Sequence, residues 1–237
     1  LILNSDSRAQ PAAEAARRIT HLLQAVLPRF QPRWTVKKID STLRGNLGAE
    51  LEATMRALNC AVAVLAPAFP AAGRLTRRGV CYVHGSPVNE TEFATDPKTP
   101  VSSADIAAVV AQQSDLLCRG TTVAGLAAEL EQTVETPRVL IVDAEENQQL
   151  DAIIATVALC EQRVLLVGSA GLCDALARRL ATMPHGPLLA VVGSMSEIAQ
   201  QQVARLNEHP RVRRVDIDVA MAFDGDAALD ARRIVAV

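Results

Sequence analysis

Short apolar runs rich in β-branched residues alternate along the chain with longer stretches that show helical periodicity. This alternation is typical of a parallel sheet whose strands are connected by helices. We predict an α/β fold with a mainly parallel sheet, helices on both faces and the start of a second α/β domain. The predicted strands span residues 1–4, 34–39, 61–66, 116–118, 139–142, 164–167, 188–192 and 212–217. The predicted helices span residues 11–27, 46–58, 103–112, 123–131, 147–160, 171–181 and 197–207.

A domain boundary is predicted at residues 183–187, which read MPHGP. Two prolines and a glycine after a helical stretch end that helix and allow a new strand to begin. We therefore expect a first domain over residues 1–184 and the beginning of a second over residues 185–237.

Composition excludes several classes of protein. The 237 residues are 49% hydrophobic, which supports a sizeable core. The net charge of −2 and an aromatic content of only 3% argue against nucleic acid as a partner. There is no apolar run of membrane-spanning length. The five cysteines show no CxxC spacing, so we expect buried thiols in a soluble cytoplasmic protein.

Residues 38–45 read KIDSTLRG and predict an anion-binding site. The preceding strand would deliver Asp40, Ser41 and Thr42 to its carboxyl end, and Gly45 would allow a tight turn into the next helix. Free backbone N–H groups at that helix start, beside Arg44, suit a carboxylate or a phosphate. The alternative is that Asp40 or Ser41 only caps the turn.

Residues 67–100 interrupt the alternation of strands and helices. They contain several glycines and prolines, short extended pieces such as Val80–Val83, and many polar residues. Long connections of this kind are more often functional than not. We predict that this segment forms a wall of the ligand pocket rather than a surface insertion.

Several motifs together resemble the four-carbon acid sugar kinase family, whose members phosphorylate threonate, erythronate or 3-oxo-tetronate with ATP. The central string at residues 38–45 is the most specific of them. The others are Asp6, Ser7 and Arg8; residues 73–91 followed by Asp96 and Pro97; GSAGL at residues 168–172; and GSMS at residues 193–196.

Two parts that the resemblance implies are absent from the chain. Family members usually begin with a strand that ends in an Asp-Asp-Phe/Leu-Thr-Gly-Ala loop, and they end with a Gly-Gly-acid-Thr-Ala segment. The chain therefore resembles a truncated member. Residues 1–184 would be a sugar-acid-binding domain without its first strand and loop, and residues 185–237 the beginning of an incomplete nucleotide-binding domain.

The resemblance implies ATP and Mg²⁺ as cofactors, a small sugar acid as substrate and a homodimer, with no nucleic acid or membrane partner. Arg8 and Arg44 are candidates for binding the substrate carboxylate, because a guanidinium can form a bidentate pair; their alternative role is an ion pair with Asp6 or Asp40. Asp40 is the candidate catalytic residue. The predicted substrate-binding set is Asp6, Ser7, Arg8, Lys38, Asp40, Ser41, Thr42, Arg44 and Gly45, and the predicted cofactor-binding set is Gly168, Ser169, Gly193 and Ser194.

Lys37 and Lys38 should point to opposite faces of their strand, so we expect only one of them to reach the site. The histidines lack ligand spacing and predict no metal centre. The chain also lacks a GxxxxGK[ST] loop, which disfavours a P-loop kinase. Two other functions stay open: a non-catalytic sugar-acid-binding module, and an α/β lyase or hydrolase that acts on an acidic metabolite.

Overall fold

The computed structural model describes residues 1–133, 136–181, 188–192, 196–210, 212 and 214–215. Its central sheet has eight strands that all pair in parallel. The strands are β1 (Ile2–Leu3), β2 (Trp34–Lys38), β3 (Val62–Ala66), β7 (Leu117–Thr121), β8 (Arg138–Val142), β9 (Val164–Gly168), β10 (Leu188–Val192) and β11 (Arg214–Val215).

The helices are α1 (Ala12–Val26), α2 (Leu47–Leu58), α3 (Ile106–Ala111), α4 (Val123–Glu131), α5 (Asn147–Ala158), α6 (Ala170–Ala181) and α7 (Glu197–Asn207). The strand order across the main sheet is β11-β1-β10-β2-β9-β3-β8-β7. The chain crosses the sheet in one direction through β1, β2, β3 and β7. It then returns through β8, β9 and β10 in the intervening positions and ends at the edge strand β11, beside β1. Helices α1 to α3 belong to the outward path and α4 to α7 to the return path. The two groups pack on opposite faces of the sheet.

The core follows from this double coverage. All five residues of β3 are buried apolar side chains, as expected for a strand covered on both faces. Ala63 and Leu65 pack with α2 and α3, whereas Val62 and Val64 pack with α4, α5 and α6. Helices α2 and α3 approach closely, since a Cβ added at Gly48 would lie 2.2 Å from the Val110 carbonyl oxygen.

Residues 67–105 carry a small antiparallel sheet of β4 (Arg74–Arg77), β5 (Val80–Val83) and β6 (Ser86–Pro87). Two-residue turns connect these strands, and both residues of the first turn, Arg78 and Gly79, have positive φ. This is the backbone of a hairpin turn that matches strand twist. The Asp143 carboxylate, just after β8, accepts hydrogen bonds from the N–H groups of both turn residues. The small sheet is thereby fixed to the carboxyl end of the main sheet.

The predicted fold class is confirmed: a parallel sheet carries helices on both faces. Several element boundaries differ from the prediction, most of all the end of β7 and the start of α3. Strand β7 extends to Thr121 because an edge strand tolerates polar residues such as Arg119, and α3 begins only at Ile106 because the Asp105 carboxylate caps it at the Ala108 N–H. Strand β10, which was predicted to open a second domain, pairs with β2 in the main sheet. The division at residue 184 stays a prediction.

Candidate functional site

The turn after β2 brings together the charged residues that the sequence singled out. Asp40 Oδ2 lies 3.2 Å from Arg8 Nη1 and 3.0 Å from Arg44 Nη2. Asp40 Oδ1 accepts hydrogen bonds from the backbone N–H of Thr42, at 2.8 Å, and from the Thr42 hydroxyl. Both oxygens of this largely buried carboxylate are therefore engaged. The alternative role of Arg8 and Arg44 as ion-pair partners of Asp40 is present in the structure.

Burial acts to raise the pKa of Asp40, but the charge of Arg44 and the hydrogen bonds from Thr42 outweigh burial and lower this pKa below its usual value. Arg8 also favours the charged form of the carboxyl group. Asp40 is consequently ionised at neutral pH and is a weak proton acceptor.

Two residues in the left-handed backbone conformation shape the turn. Leu43 has φ +62° and is buried, and Gly45 has φ +100°. A Cβ at Gly45 would lie 3.3 Å from Arg8 Cγ, so a side chain at this position would crowd the arginine stem. Glycine is the residue that such a backbone requires. The turn thus holds Arg8 and Asp40 side by side.

Arg44 connects this turn to the segment after the small sheet. Its Nη1 donates a hydrogen bond to Asp96 Oδ2 at 2.9 Å, and its guanidinium carbon lies 4.7 Å from the centre of the Phe93 ring. The other oxygen of Asp96 accepts hydrogen bonds from the N–H groups of Lys98 and Thr99. Residues 93–99 therefore lie beside this turn. The role of the whole segment 67–100 as a wall of a ligand pocket stays a prediction.

A buried ion pair lies beneath the turn. Lys37 Nζ is 2.5 Å from Glu50 Oε2, and both side chains are almost inaccessible to solvent. Glu50 Oε1 accepts a hydrogen bond from the Ser7 hydroxyl at 2.5 Å. Because this hydroxyl points into the protein, Ser7 stabilises the site from its buried side, through Glu50.

The sequence analysis missed Glu50 and Asn46. Asn46 Nδ2 donates to the carbonyl oxygens of Ser7 and Gln10, which holds the loop after β1 against the turn after β2. One feature of the sequence could have identified Glu50 as part of the site. It lies three residues after Leu47 and one before Leu51 in α2, on the apolar face of that helix, where an acid requires a buried partner.

The Lys38 ammonium group makes no hydrogen bond or ion pair within the described part of the chain, whereas the Lys38 carbonyl accepts a hydrogen bond from Lys37 Nζ at 3.3 Å. Burial lowers its pKa, and the nearby Asp40 carboxylate acts in the opposite direction. Across the site, the positive Arg8, Lys37, Lys38 and Arg44 face the negative Asp40, Glu50 and Asp96, which leaves one positive charge in excess. Lys38 is the cation among them that lacks a carboxylate in direct contact.

Two adjoining cavities open around the turn. The inner cavity has a volume of about 30 Å³ and is lined by Arg8, Lys37, Lys38, Ile39, Asp40, Leu43, Arg44, Gly45, Asn46, Leu47 and Glu50. The outer cavity has a volume of about 200 Å³ and is lined by Arg8, Ala9, Gln10, Leu43, Gly45, Asn46, Lys98, Thr99, Pro100, Val101, Ser102, Val109, Gln112 and Gln113. Both Lys37 and Lys38 line the inner cavity. The expectation that only one would reach the site was wrong, because Lys38 is the last residue of β2, at the sheet edge where both faces meet.

The remaining predicted residues occupy different positions. Asp6 and Ser41 line neither cavity: the Asp6 carbonyl accepts a hydrogen bond from Arg18, and the Ser41 carbonyl accepts one from the Cys81 thiol. Ser169 is buried, and its hydroxyl donates to the Ala68 carbonyl at 3.1 Å. Gly168 packs against Leu172 and Ala66. Gly193 and Ser194 lie outside the described residues.

The described residues do not fit a magnesium site. They contain no cluster of three or more His, Cys, Asp or Glu side chains that could hold a metal ion. Asp40, Asp96 and Glu50 each face an arginine or a lysine instead of converging on one point. In the same described ranges, no helix is long and apolar enough to cross a membrane.

The fold and the site define a doubly wound α/β domain with a cluster of charged side chains, with cations in excess, at the carboxyl ends of its strands. The chain belongs to the family described as the sugar-binding N-terminal domain, whose model matches residues 1–176. This family membership agrees with the resemblance found in the sequence.

Similar proteins include named kinases. The chain is 41% identical to a D-threonate kinase of Salmonella typhimurium, over 99% of this chain and 57% of that kinase. It is 33% identical to a D-erythronate kinase of Heliobacterium modesticaldum, over 94% of this chain and 53% of that kinase. The chain thus spans about half the length of the curated relatives it matches.

A solved structure from Bordetella bronchiseptica has the same fold, with a TM-score of 0.65 and 33% identity over 96% of this chain and 57% of that chain. It is described as a domain of unknown function (DUF1537) with bound citrate, in a domain-swapped dimer.

Proposed function

We propose that this chain is the sugar-acid-binding part of an ATP-dependent kinase that phosphorylates the terminal hydroxyl of a four-carbon sugar acid. The observation that carries the proposal is the cluster around Asp40, where ion pairs leave Lys38 as an excess positive charge. Such a cluster suits an anionic substrate that gains further negative charge during phosphoryl transfer. The relatives named as threonate and erythronate kinases support the same reaction class.

The roles of individual residues follow from their contacts. Arg8 and Arg44 bind Asp40, and this arrangement keeps their guanidinium groups in fixed positions at the site. We assign Lys38 to the charge that develops on the reacting oxygens, because its ammonium group has no other partner in the described residues. Since Asp40 is ionised and its oxygens are occupied, we favour a role in orienting groups over one as the general base.

ATP is the proposed phosphoryl donor, and Mg²⁺ would accompany it, as phosphoryl transfer generally requires. Gly168, Ser169, Gly193 and Ser194 stay predictions as nucleotide contacts. The inward orientation of the Ser169 hydroxyl argues against a direct contact with ATP.

We further propose a homodimer, which the domain-swapped dimer of the relative supports, and a cytoplasmic location, which five free cysteines support.

The test is ADP formation by the full-length protein with Mg-ATP and a panel of threonate, erythronate and 3-oxo-tetronate isomers. We expect ADP with at least one isomer. Lys38→Gln should lower kcat/KM about 100-fold. Arg56→Gln serves as a control for loss of a positive charge, because this exposed arginine lies at the opposite end of the sheet beside Asn59 and Cys60.

Two other outcomes would replace the proposal. Sugar-acid binding without ADP formation would make the protein a binding module. Turnover without ATP would indicate a lyase or hydrolase, in which Asp40 and Lys38 would be the first residues to test.

A further inference from the structure

The two cavities at the site have the same net charge but differ in whether carboxylates line them. Asp40 and Glu50 line the inner cavity together with four cationic side chains. The outer cavity contains no carboxylate: its polar groups are the amides of Gln10, Asn46, Gln112 and Gln113, two hydroxyl groups and two cations. A carboxylate ligand would therefore meet like charges in the inner cavity and none in the outer cavity.

The cavities also differ in size. A volume of about 30 Å³ in the inner cavity accommodates no more than a few water molecules. At about 200 Å³, the outer cavity is several times larger. A four-carbon chain with its hydroxyl groups and carboxylate thus requires the outer cavity, and only one end of it can enter the inner one.

Lys98 and Arg8 are the two cations of the outer cavity. The Lys98 backbone is held in place, because its N–H donates to Asp96 Oδ1 at 3.0 Å and Asp96 is in turn paired with Arg44. The Lys98 ammonium group makes no hydrogen bond or ion pair within the described residues. Arg8 lines both cavities, and its Nη1 contacts Asp40.

We propose that the carboxylate of the sugar acid binds in the outer cavity between Lys98 and Arg8, with the terminal hydroxyl directed into the inner cavity towards Asp40 and Lys38. Hydroxyl groups along the chain then face the Gln113 amide and the Thr99 hydroxyl. This orientation rests on the proposed kinase function and adds Lys98 to the site as the residue that selects acids over neutral polyols. Arg44 then acts indirectly, by holding the segment that carries Lys98.

The test compares binding of a four-carbon sugar acid with binding of the corresponding four-carbon polyol. Titration calorimetry on the full-length protein without ATP gives both affinities. Lys98→Gln should weaken binding of the acid about tenfold and leave polyol binding unchanged, as expected for loss of one charge-assisted contact. Lys98→Arg should retain most of the preference for the acid, and Arg56→Gln should leave it unchanged.

An unchanged preference for the acid in Lys98→Gln would overturn the proposed orientation. So would a loss of preference in Lys38→Gln combined with a normal Lys98→Gln, which would place the carboxylate in the inner cavity. Because these measurements need no catalysis, they are separable from the kinase assay. Carboxylate selectivity through Lys98 without ADP formation would retain the orientation and refute the kinase.

Discussion

Two neighbouring loops of the molecule were both predicted to contact a ligand, one the substrate and the other the cofactor, and they have different structures. Strands β2 and β9 are adjacent, and the Ile39 N–H donates to the Gly168 carbonyl at 2.9 Å, so their following loops begin side by side. The turn at residues 40–45 directs the charged side chains of Asp40 and Arg44 into the inner cavity. The loop after β9 buries its single serine, and its hydroxyl donates to a backbone carbonyl.

The difference arises from the length of each connection. Between β2 and α2 there is room for a turn with two left-handed residues, Leu43 and Gly45, which directs side chains away from the sheet. Helix α6 begins at Ala170, and Ser169 alone separates it from β9. Polar residues after a parallel strand therefore form a site only where the loop is long enough to leave the sheet edge.

The first prediction concerns Asp40, where the largest effect is expected. Asp40→Asn leaves Arg8 and Arg44 without their shared carboxylate and should lower the free energy of unfolding by about 3 kcal/mol. Urea denaturation at pH 7 measures this loss. Asp151→Asn is the matched control, because it removes an exposed pair with Arg178 and should cost less than about 1 kcal/mol. Equal losses in the two variants would contradict the special position of Asp40.

The same variant also tests how the contribution of Asp40 to the free energy of unfolding depends on pH. The folded-state pKa of Asp40 is lowered, so its stabilising contribution is complete above the unfolded value of about 4. This contribution disappears as the pH falls through the folded-state pKa. The stability difference between the wild type and Asp40→Asn should therefore shrink below about pH 4.

The second prediction tests the end of β9 as a packing element. A Cβ at Gly168 would lie 2.6 Å from Leu172 Cβ and 2.7 Å from the Ala66 carbonyl oxygen. Gly168→Ala should therefore lower the free energy of unfolding by about 2 kcal/mol. Gly120→Ala in the edge strand β7 is the control, since no atom lies within 4 Å of its added Cβ. A Gly168→Ala variant as stable as this control would show that the close packing is not required.

The sequence predicted the parallel sheet and the charged turn because both rest on local patterns. Hydrophobic runs mark the buried strands, and the acid, hydroxyl and glycine residues that mark the turn are consecutive. The partners of these residues could not be predicted in the same way. Asp96 contacts Arg44 from 52 positions away, and Glu50 contacts Lys37 across the interface of helix and sheet. Such pairings depend on how the elements pack.

Ser41 and Ser169, neither of which lines the two cavities, show a second limit. Both follow a strand, and the sequence predicts a ligand contact for each. A serine hydroxyl can instead satisfy a nearby backbone carbonyl, as Ser169 does with Ala68. Residue type alone does not distinguish these outcomes, because the position of the acceptor depends on the neighbouring strand.

The third prediction concerns Ser169. Ser169→Ala leaves the buried Ala68 carbonyl without this hydrogen bond and should lower the free energy of unfolding by about 1 kcal/mol. The Michaelis constant for ATP in the full-length protein decides between structure and ligand binding. A rise of several-fold in this constant would show that Ser169 contributes to nucleotide binding. An unchanged value would show that its role is structural.

The smallest expected effect concerns the segment that carries Lys98. Hydrogen bonding from the Thr99 N–H, together with Arg44 and the Lys98 N–H, lowers the pKa of Asp96 to about 2. Because the folded-state pKa is below the unfolded value, the contribution of Asp96 is present above about pH 4 and is lost as the pH falls towards 2.

Asp96→Asn should therefore lose less stability than the wild type between pH 4 and pH 2, while costing less than about 1 kcal/mol at pH 7. Circular dichroism during acid titration measures the comparison. Identical acid profiles would show that the Asp96 carboxylate does not hold this segment, and the stacking of Arg44 on Phe93 would then be the contact that positions it. In that case Phe93→Leu, rather than Asp96→Asn, should weaken sugar-acid binding through Lys98.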